Sequence, residues 1–241
     1  MARFVMVHGA FAGGWVWGPL SEELEAAGHT VEAPDLPGSG DDSTPVSEVT
    51  LEAYADRICE VLRARPEQAV LVPNSMGGVV ATQAAARCPE QVARLVYVAA
   101  FAPQDGQSLI ELTQLPEGAG DAVQANMTVD GDPPVATLPA ETRRNAIFAA
   151  CSDEVADWAT ERSGPQAVVP FTQPVQLGGS EFEAIPRSYV LCTQDQAIPP
   201  ALQRRMAEAA GCDPVFELDT DHAPHLSRTT ELAEILGRLA T

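Results

Sequence analysis

The sequence predicts an α/β protein: a doubly wound, mostly parallel sheet interrupted by an inserted, mainly helical cap. Three observations carry this reading. Short β-branched apolar runs alternate with helix-period patterns from Phe4 to Phe101. That rhythm stops after Pro103 and resumes at Arg187. The 241 residues, 45% of them hydrophobic, suffice for one large core with an insertion.

Each element follows in order. Phe4–Val7 reads as a strand, and a Gly-rich loop follows it. A helix over Pro19–Ala27 stops at Gly28, and Thr30–Ala33 is a second strand before the turn-rich Pro34–Pro45. Leu51, Tyr54, Ile58 and Leu62 share one face of a helix over Leu51–Ala64. Ala69–Val72 is a strand, Met76–Arg87 a helix stopped by Pro89, and Arg94–Phe101 a buried strand. Between Gln104 and Pro186 the pattern offers turns, one helix or helix pair over Ala140–Arg162, and little strand signal. Arg187–Thr193 and Val215–Leu218 then read as strands, and Pro199–Ala210 and Leu226–Leu239 as helices. The expected organisation is a core over 1–103 and 187–241, with a cap over 104–186.

Composition narrows the function. Fourteen basic residues against 34 acidic ones give a net charge of −20, which repels phosphate backbones and anionic membranes. Neither a nucleic-acid nor a membrane partner is expected. The five cysteines contain no CxxC pair and suit neither zinc nor a disulfide framework; they read mostly as small buried hydrophobes. No signal-peptide pattern opens the chain, and apolar runs break well before the ~18 residues a span needs. A reduced, cytoplasmic protein is the expectation.

Ligands of open α/β sheets sit beyond the C-terminal strand ends, and four segments there carry reactive groups. The most informative is Val70–Val80, where an apolar run ends at Ser75 and two glycines open the next helix. Ser75 reads either as an ordinary N-cap or as a nucleophile on a sharp strand-to-helix turn. After the first strand comes His8-Gly9-Ala10-Phe11, without GxGxxG or an acidic residue placed for a ribose, so no dinucleotide is expected. The N–H of Ala10 and that of Met76 are the two candidate oxyanion donors. The last two strands are followed by Asp195 and by His222. Ser75, Asp195, His222 is the chain order of a triad on such a sheet. A serine hydroxyl needs a base, a neutral imidazole can serve near pH 7, and a carboxylate fixes the imidazole's tautomer. His222 is preferred to His225 because it comes first after the strand, while His8 is expected to support its loop and His29 to lie at the surface. Asp195 is preferred to Asp105, Asp219 and Asp221, the last two being turn formers close in sequence to His222.

These residues carry a family resemblance. VHGAFAGGWVW, DLPGSG, NSMGG, VAAFAP, CTQDQAIPP and DHAPHLS, spread over the whole chain, resemble the α/β-hydrolases of the plant methylesterase and hydroxynitrile lyase group and their bacterial relatives. The cap stretch AIFAACSDEVADWA and the PFTQPV after it fit as well. The resemblance implies an α/β-hydrolase fold with Ser75 as nucleophile, Asp195 as acid, His222 as base, and Ala10 and Met76 as oxyanion donors. It implies no cofactor and no metal, and related folds often pair as homodimers. The hydroxynitrile lyases similar to this chain carry a lysine after the catalytic histidine and a threonine after the histidine of the HG loop. Ala223 and Gly9 stand there instead, which favours ester hydrolysis. The family elbow usually reads GHSxGG; here Pro73 and Asn74 precede the serine, and the proline removes an N–H from a crowded turn. Asn74 is expected to offer the pocket a polar contact. Phe11, Trp15 and Trp17 on the loop, with Phe148, Trp158 and Phe171 on the cap, are the candidate apolar walls of a pocket for a small to medium hydrophobic ester; one or two of these six are expected to touch it. Other chemistry on the same site, such as a lyase or lactonase, or ligand binding without turnover, remains open at this point.

Overall fold

The computed structural model describes residues 1–240. Its strands are β1 (Arg3–Val7), β2 (Thr30–Glu32), β3 (Ala69–Ser75), β4 (Val92–Ala100), β5 (Thr128–Asp130), β6 (Val135–Thr137), β7 (Gln166–Ala167), β8 (Arg187–Cys192) and β9 (Val215–Leu218). Six of them form one sheet in the order β2-β1-β3-β4-β8-β9, parallel at every pairing. The strand order reverses direction at β1 and β3, so the loops after these strands face each other across the switch point where such sheets bind ligands.

Both sheet faces are covered, which explains why the strands read as continuous apolar runs. Phe4, Met6, Val70, Val72, Val96, Val98 and Val190 point to one side, where Leu20, Leu24, Leu232 and Leu236 from the helices Gly18–Ala26 and Thr229–Leu239 meet them. Val5, Val7, Leu71, Leu95, Tyr97, Tyr189 and Leu191 point to the other, against Tyr54, Ile58, Val80, Ala84, Leu202 and Met206. The first helix ends where Gly28 takes a φ of +87°.

The chain leaves the sheet after β4 and returns at β8. Between them lie short helices and an antiparallel sheet, β5-β6-β7, with strands of three residues or fewer. Runs that short cannot display a period-2 pattern, and β5 is exposed throughout, so the sequence expectation of a mainly helical insertion missed them. The helical stretch expected over Ala140–Arg162 is broken. A turn at Ala140–Thr142 runs into a π-turn at Arg143–Ile147, and a separate helix, capped by Ser152, covers Asp153–Arg162. The last helix is likewise split, at Arg228.

Cys59, Cys88 and Cys192 are buried, and Cys151 and Cys212 half-buried. Cys59 and Cys88 meet in the core although 29 residues apart, a contact that spacing alone does not reveal.

Glycine opens the space at the β3–helix junction. A Cβ on Gly78 would lie 2.0 Å from the carbonyl oxygen of Phe101, whereas one on Gly237 would meet nothing within 4 Å. Gly78→Ala is therefore expected to cost about 3 kcal/mol or more through overpacking, while Gly237→Ala, inside the helix Thr229–Leu239, is neutral or stabilising by up to ~1 kcal/mol. Urea melts of the two variants check the contrast.

Candidate functional site

Ser75 ends β3 and the helix Gly77–Arg87 begins two residues later, so the chain reverses within one residue. Ser75 takes a φ of +55°, a left-handed value costly for a non-glycine residue. Three glycines allow it. A Cβ on Gly9 would come within 2.8 Å of Ser75 Cβ, one on Gly77 within 2.4 Å of Val7 O, and one on Gly78 would strike Phe101 O. Pro73 does not prevent the turn. It pairs with Val7 in register, and β3 continues through it to Ser75, three residues beyond the predicted strand end. A residue already extended loses only one ladder N–H to proline.

Ala10 and Met76 flank Ser75 from the β1 loop and from the start of the helix, and both line the same cavity. Among the described residues neither N–H takes up a backbone hydrogen bond. The β1 loop is fixed from beneath by DLPGSG. Asp35 accepts from Gly14 N–H at 2.6 Å through one oxygen and from Asp41 N–H at 3.0 Å through the other. His8 is a buried latch: its Nε2 accepts from Leu36 N–H at 3.1 Å, which leaves Nδ1–H to donate to Gly9 O at 2.8 Å. Burial holds His8 below its usual pKa despite the Gly9 carbonyl and the Asp35 charge, so the latch stays neutral.

His222, after β9, places Nδ1 2.7 Å from Asp195 Oδ2. Asp195 is saturated: Oδ1 accepts from Ala197 N–H at 2.8 Å and Ile198 N–H at 2.9 Å, and Oδ2 also accepts from Gln203 Nε2 at 2.9 Å. Burial alone would lower the His222 pKa. The charge and hydrogen bond of Asp195, with the charges of Asp221 and Asp121, outweigh it and raise the pKa above the ordinary 6.5. With Nδ1 engaged, Nε2 is the nitrogen free for chemistry.

The rival residues have other duties. His29 accepts from Ala2 N–H, and Asp105 accepts from Leu177 N–H. Asp219 is an exposed clasp for Thr193 and Gln194. Asp221 is more than the turn former expected: it is 1% exposed and accepts Ala150 N–H of the insertion at 2.8 Å and Ser227 Oγ at 2.8 Å. His225 is buried in the cavity wall, its ring 4.6 Å from that of Trp17 and its Nδ1 without a partner. Burial and the neighbouring His222 push its pKa down to about 3.

Ser75, His222, Ala10 and Met76 open onto one cavity of about 800 Å³, its open mouth included. Of the predicted aromatic walls, Phe11, Phe148 and Phe171 line it and the three tryptophans do not. Trp15 to Trp17 lie on a 3₁₀ turn, where successive side chains point about 120° apart. Val16 faces the cavity and Trp17 the core, while Trp15 packs edge-on against Trp158 at 5.0 Å, beside Arg162. Asn74 lines the cavity, but its amide donates to Val98 O at 3.0 Å and His222 O at 3.2 Å, so that group tethers the His222 loop instead of reaching for a ligand. The sequence reading missed Gln203. Fully buried between Leu202 and Met206, it ties Asp195 to Cys192 and Ile198. A polar residue on the buried stripe of an amphipathic helix was the available signal.

A parallel sheet that brings a strained serine, an imidazole and a buried carboxylate together beyond its strand ends defines an α/β hydrolase. The chain belongs to the alpha/beta hydrolase family, whose model matches residues 4–235. It is 31% identical to methylesterase 7 of Arabidopsis thaliana over 250 residues, covering 99% of this chain and 96% of that protein. It is 29% identical to an alpha-hydroxynitrile lyase of the same plant, covering 99% and 97%. The solved structure of polyneuridine aldehyde esterase, 26% identical, superposes with a TM-score of 0.89 over the full length of both chains.

Gln203→Leu leaves Asp195 with one donor fewer and the Cys192 N–H unpaired in the core. A loss of roughly 2–3 kcal/mol is expected, read by denaturant unfolding.

Proposed function

We propose that this protein is a cofactor-independent serine esterase acting on a small to medium hydrophobic carboxylic ester. The observation that carries the reading is the 2.7 Å bond to a saturated Asp195 made by His222, which lines the cavity onto which the strained Ser75 also opens. Ser75 Oγ attacks the ester carbonyl while His222 Nε2 takes its proton. The N–H groups of Ala10 and Met76 stabilise the oxyanion. The tetrahedral adduct collapses, the C–O bond to the alcohol breaks, and His222 protonates the leaving oxygen. Water, deprotonated by the same imidazole, attacks the acyl-Ser75 ester; the free acid leaves and Ser75 recovers its proton. Asp195 holds the tautomer and stabilises the imidazolium throughout.

Relatives named as esterases support the hydrolytic reading, and one relative is named a lyase. Against cyanohydrin cleavage stands Ala223, fully buried after His222, where the similar lyases carry a lysine. The chain contains no lysine anywhere; all fourteen of its basic residues are arginines.

A fluorophosphonate probe should add once to the wild type, by intact mass, and not at all to Ser75→Ala. A folded wild type without adduct would overturn the serine mechanism. The acid limb of kcat/KM should report His222, which acts as a base only when neutral. Because its pKa is raised, activity should fall as pH drops through a midpoint above 6.5. A pH–rate profile with a neutral ester measures it: a midpoint at or below 6.5 would contradict the raised pKa, and a profile without an acid limb would contradict His222 as base.

A further inference from the structure

Asp121 is a carboxylate in the wall of the same cavity that neither the sequence reading nor the esterase chemistry uses. It is 8% exposed, and its position is tightly fixed. Its own N–H donates to Gly118 O at 3.2 Å, and the next residue, Ala122, donates to Gln196 O at 2.8 Å, beside Asp195. Gly118 makes the preceding turn possible, since a Cβ there would lie 2.6 Å from Thr113 O.

The hydrogen bonds of this corner are unbalanced. Oδ1 of Asp121 accepts Gln124 N–H at 2.9 Å, and Val123 N–H faces the carboxylate from the same helix end. No side chain donates to it among the described residues. Two carboxylate oxygens offer about four acceptor sites, so the carboxylate keeps capacity that Asp195, with four donors, does not. No neighbouring side chain supplies it in the structure. Thr113 gives its hydroxyl proton to Ile110 O at 2.8 Å, and Gln124 Nε2 donates to Thr113 Oγ1 at 2.6 Å. A polar corner of a largely apolar cavity thus presents an acceptor to which no side chain donates among the described residues. Burial lifts the Asp121 pKa to about 6, against its backbone donors and the pull of His222, which leaves it ionised and acceptor-only at neutral pH.

We propose that Asp121 is a specificity-determining residue, and that the preferred ester is apolar but carries a hydroxyl or N–H group that donates to the Asp121 carboxylate. This deepens the esterase reading and rests on it for the ester function alone. A ligand donor satisfies a buried acceptor that an unsubstituted ester leaves unpaired, and polar pairing of this kind discriminates more sharply than one methylene.

The test uses methyl phenylacetate and its three ring-hydroxylated isomers. Binding is measured on full-length Ser75→Ala, which cannot turn them over, and hydrolysis on the wild type. At least one hydroxy isomer should bind tenfold or more tightly than the parent ester. Asp121→Asn, added to Ser75→Ala, keeps a capping oxygen but can replace the second acceptor by an NH₂ donor, and should bring the preference within twofold. Asp121→Ser keeps a cap without the carboxylate and should do the same, which covers the case where the Asn variant fails to fold. All isomers binding within twofold of the parent, or a preference surviving both substitutions, would overturn the proposal. If the preference appears but the wild type hydrolyses nothing, the esterase reading fails and the Asp121 assignment stands. If all four esters are hydrolysed and bound alike, the reverse holds.

Discussion

Backbone crowding around Ser75 is the constraint on which the site depends. The end of β1, the turn after β3 and the end of β4 approach so closely that Gly9, Gly77 and Gly78 have no room for a Cβ. A left-handed serine costs on the order of 1–3 kcal/mol, and it persists because its neighbours leave no alternative. Phe101 N–H donates to Ser75 O at 3.1 Å across a register slip between β3 and β4. Ala99 takes a φ of +42° at that slip, and the Tyr189 hydroxyl grips the next residue from both sides, donating to Ala100 O and accepting from Ala100 N–H. The strain is distributed over three strands, and the glycines of the elbow follow from it.

Electrostatics then separates three buried histidines by their neighbours. His8 has its two ring nitrogens matched to one backbone donor and one backbone acceptor, so burial keeps it neutral and structural. His225 has an unpartnered nitrogen and a histidine beside it, and is held far below its usual pKa. His222 alone of the three bonds a carboxylate, and its pKa moves the other way. Of the three, His222 is thus the one imidazole whose surroundings favour its protonated form. A carboxylate in direct contact outweighs desolvation; a backbone carbonyl does not.

Much of this was legible in the sequence because the core strands are buried on both faces and reactive residues follow their ends. The alternation located all six core strands, and chain order picked out Ser75, Asp195 and His222 as the residues that the cavity and the Asp195–His222 bond bring together. The misreadings are those of side-chain direction and short elements. Trp15 and Trp158 are aromatic residues in the right segments, but a 3₁₀ turn aims only Val16 at the cavity. Asn74 does line the cavity, with its NH₂ group bonded to backbone behind it. Asp221 acts through a hydrogen bond to Ala150, far away in sequence, and no local pattern encodes that; Gln203 bonds residues close to it in sequence, and its one signal was a polar side chain on a buried helix stripe. Pro73 breaks the rule against proline in a central strand at the one place where the strand is about to end.

The insertion is joined to the site by one hydrogen bond at each of three loops. Gly164 N–H reaches Phe11 O of the β1 loop at 2.9 Å, Ala122 N–H reaches Gln196 O beside Asp195 at 2.8 Å, and Ala150 N–H reaches Asp221 beside His222 at 2.8 Å. Ser163 and Asp121, each next to its hook, and Phe148, two residues before Ala150, all line the cavity. The same backbone bonds that seat the insertion thus fix the side chains facing a substrate relative to Ser75 and His222. Such an arrangement separates two requirements. The sheet and its crowded elbow set the reactive geometry, while substitutions beside the hooks can change what the cavity accepts without moving the loops that carry Ala10, Asp195 and His222. In this chain the anchoring is backbone to backbone at two hooks and through one buried carboxylate at the third, so it makes no demand on the side chains of Gly164, Ala122 and Ala150.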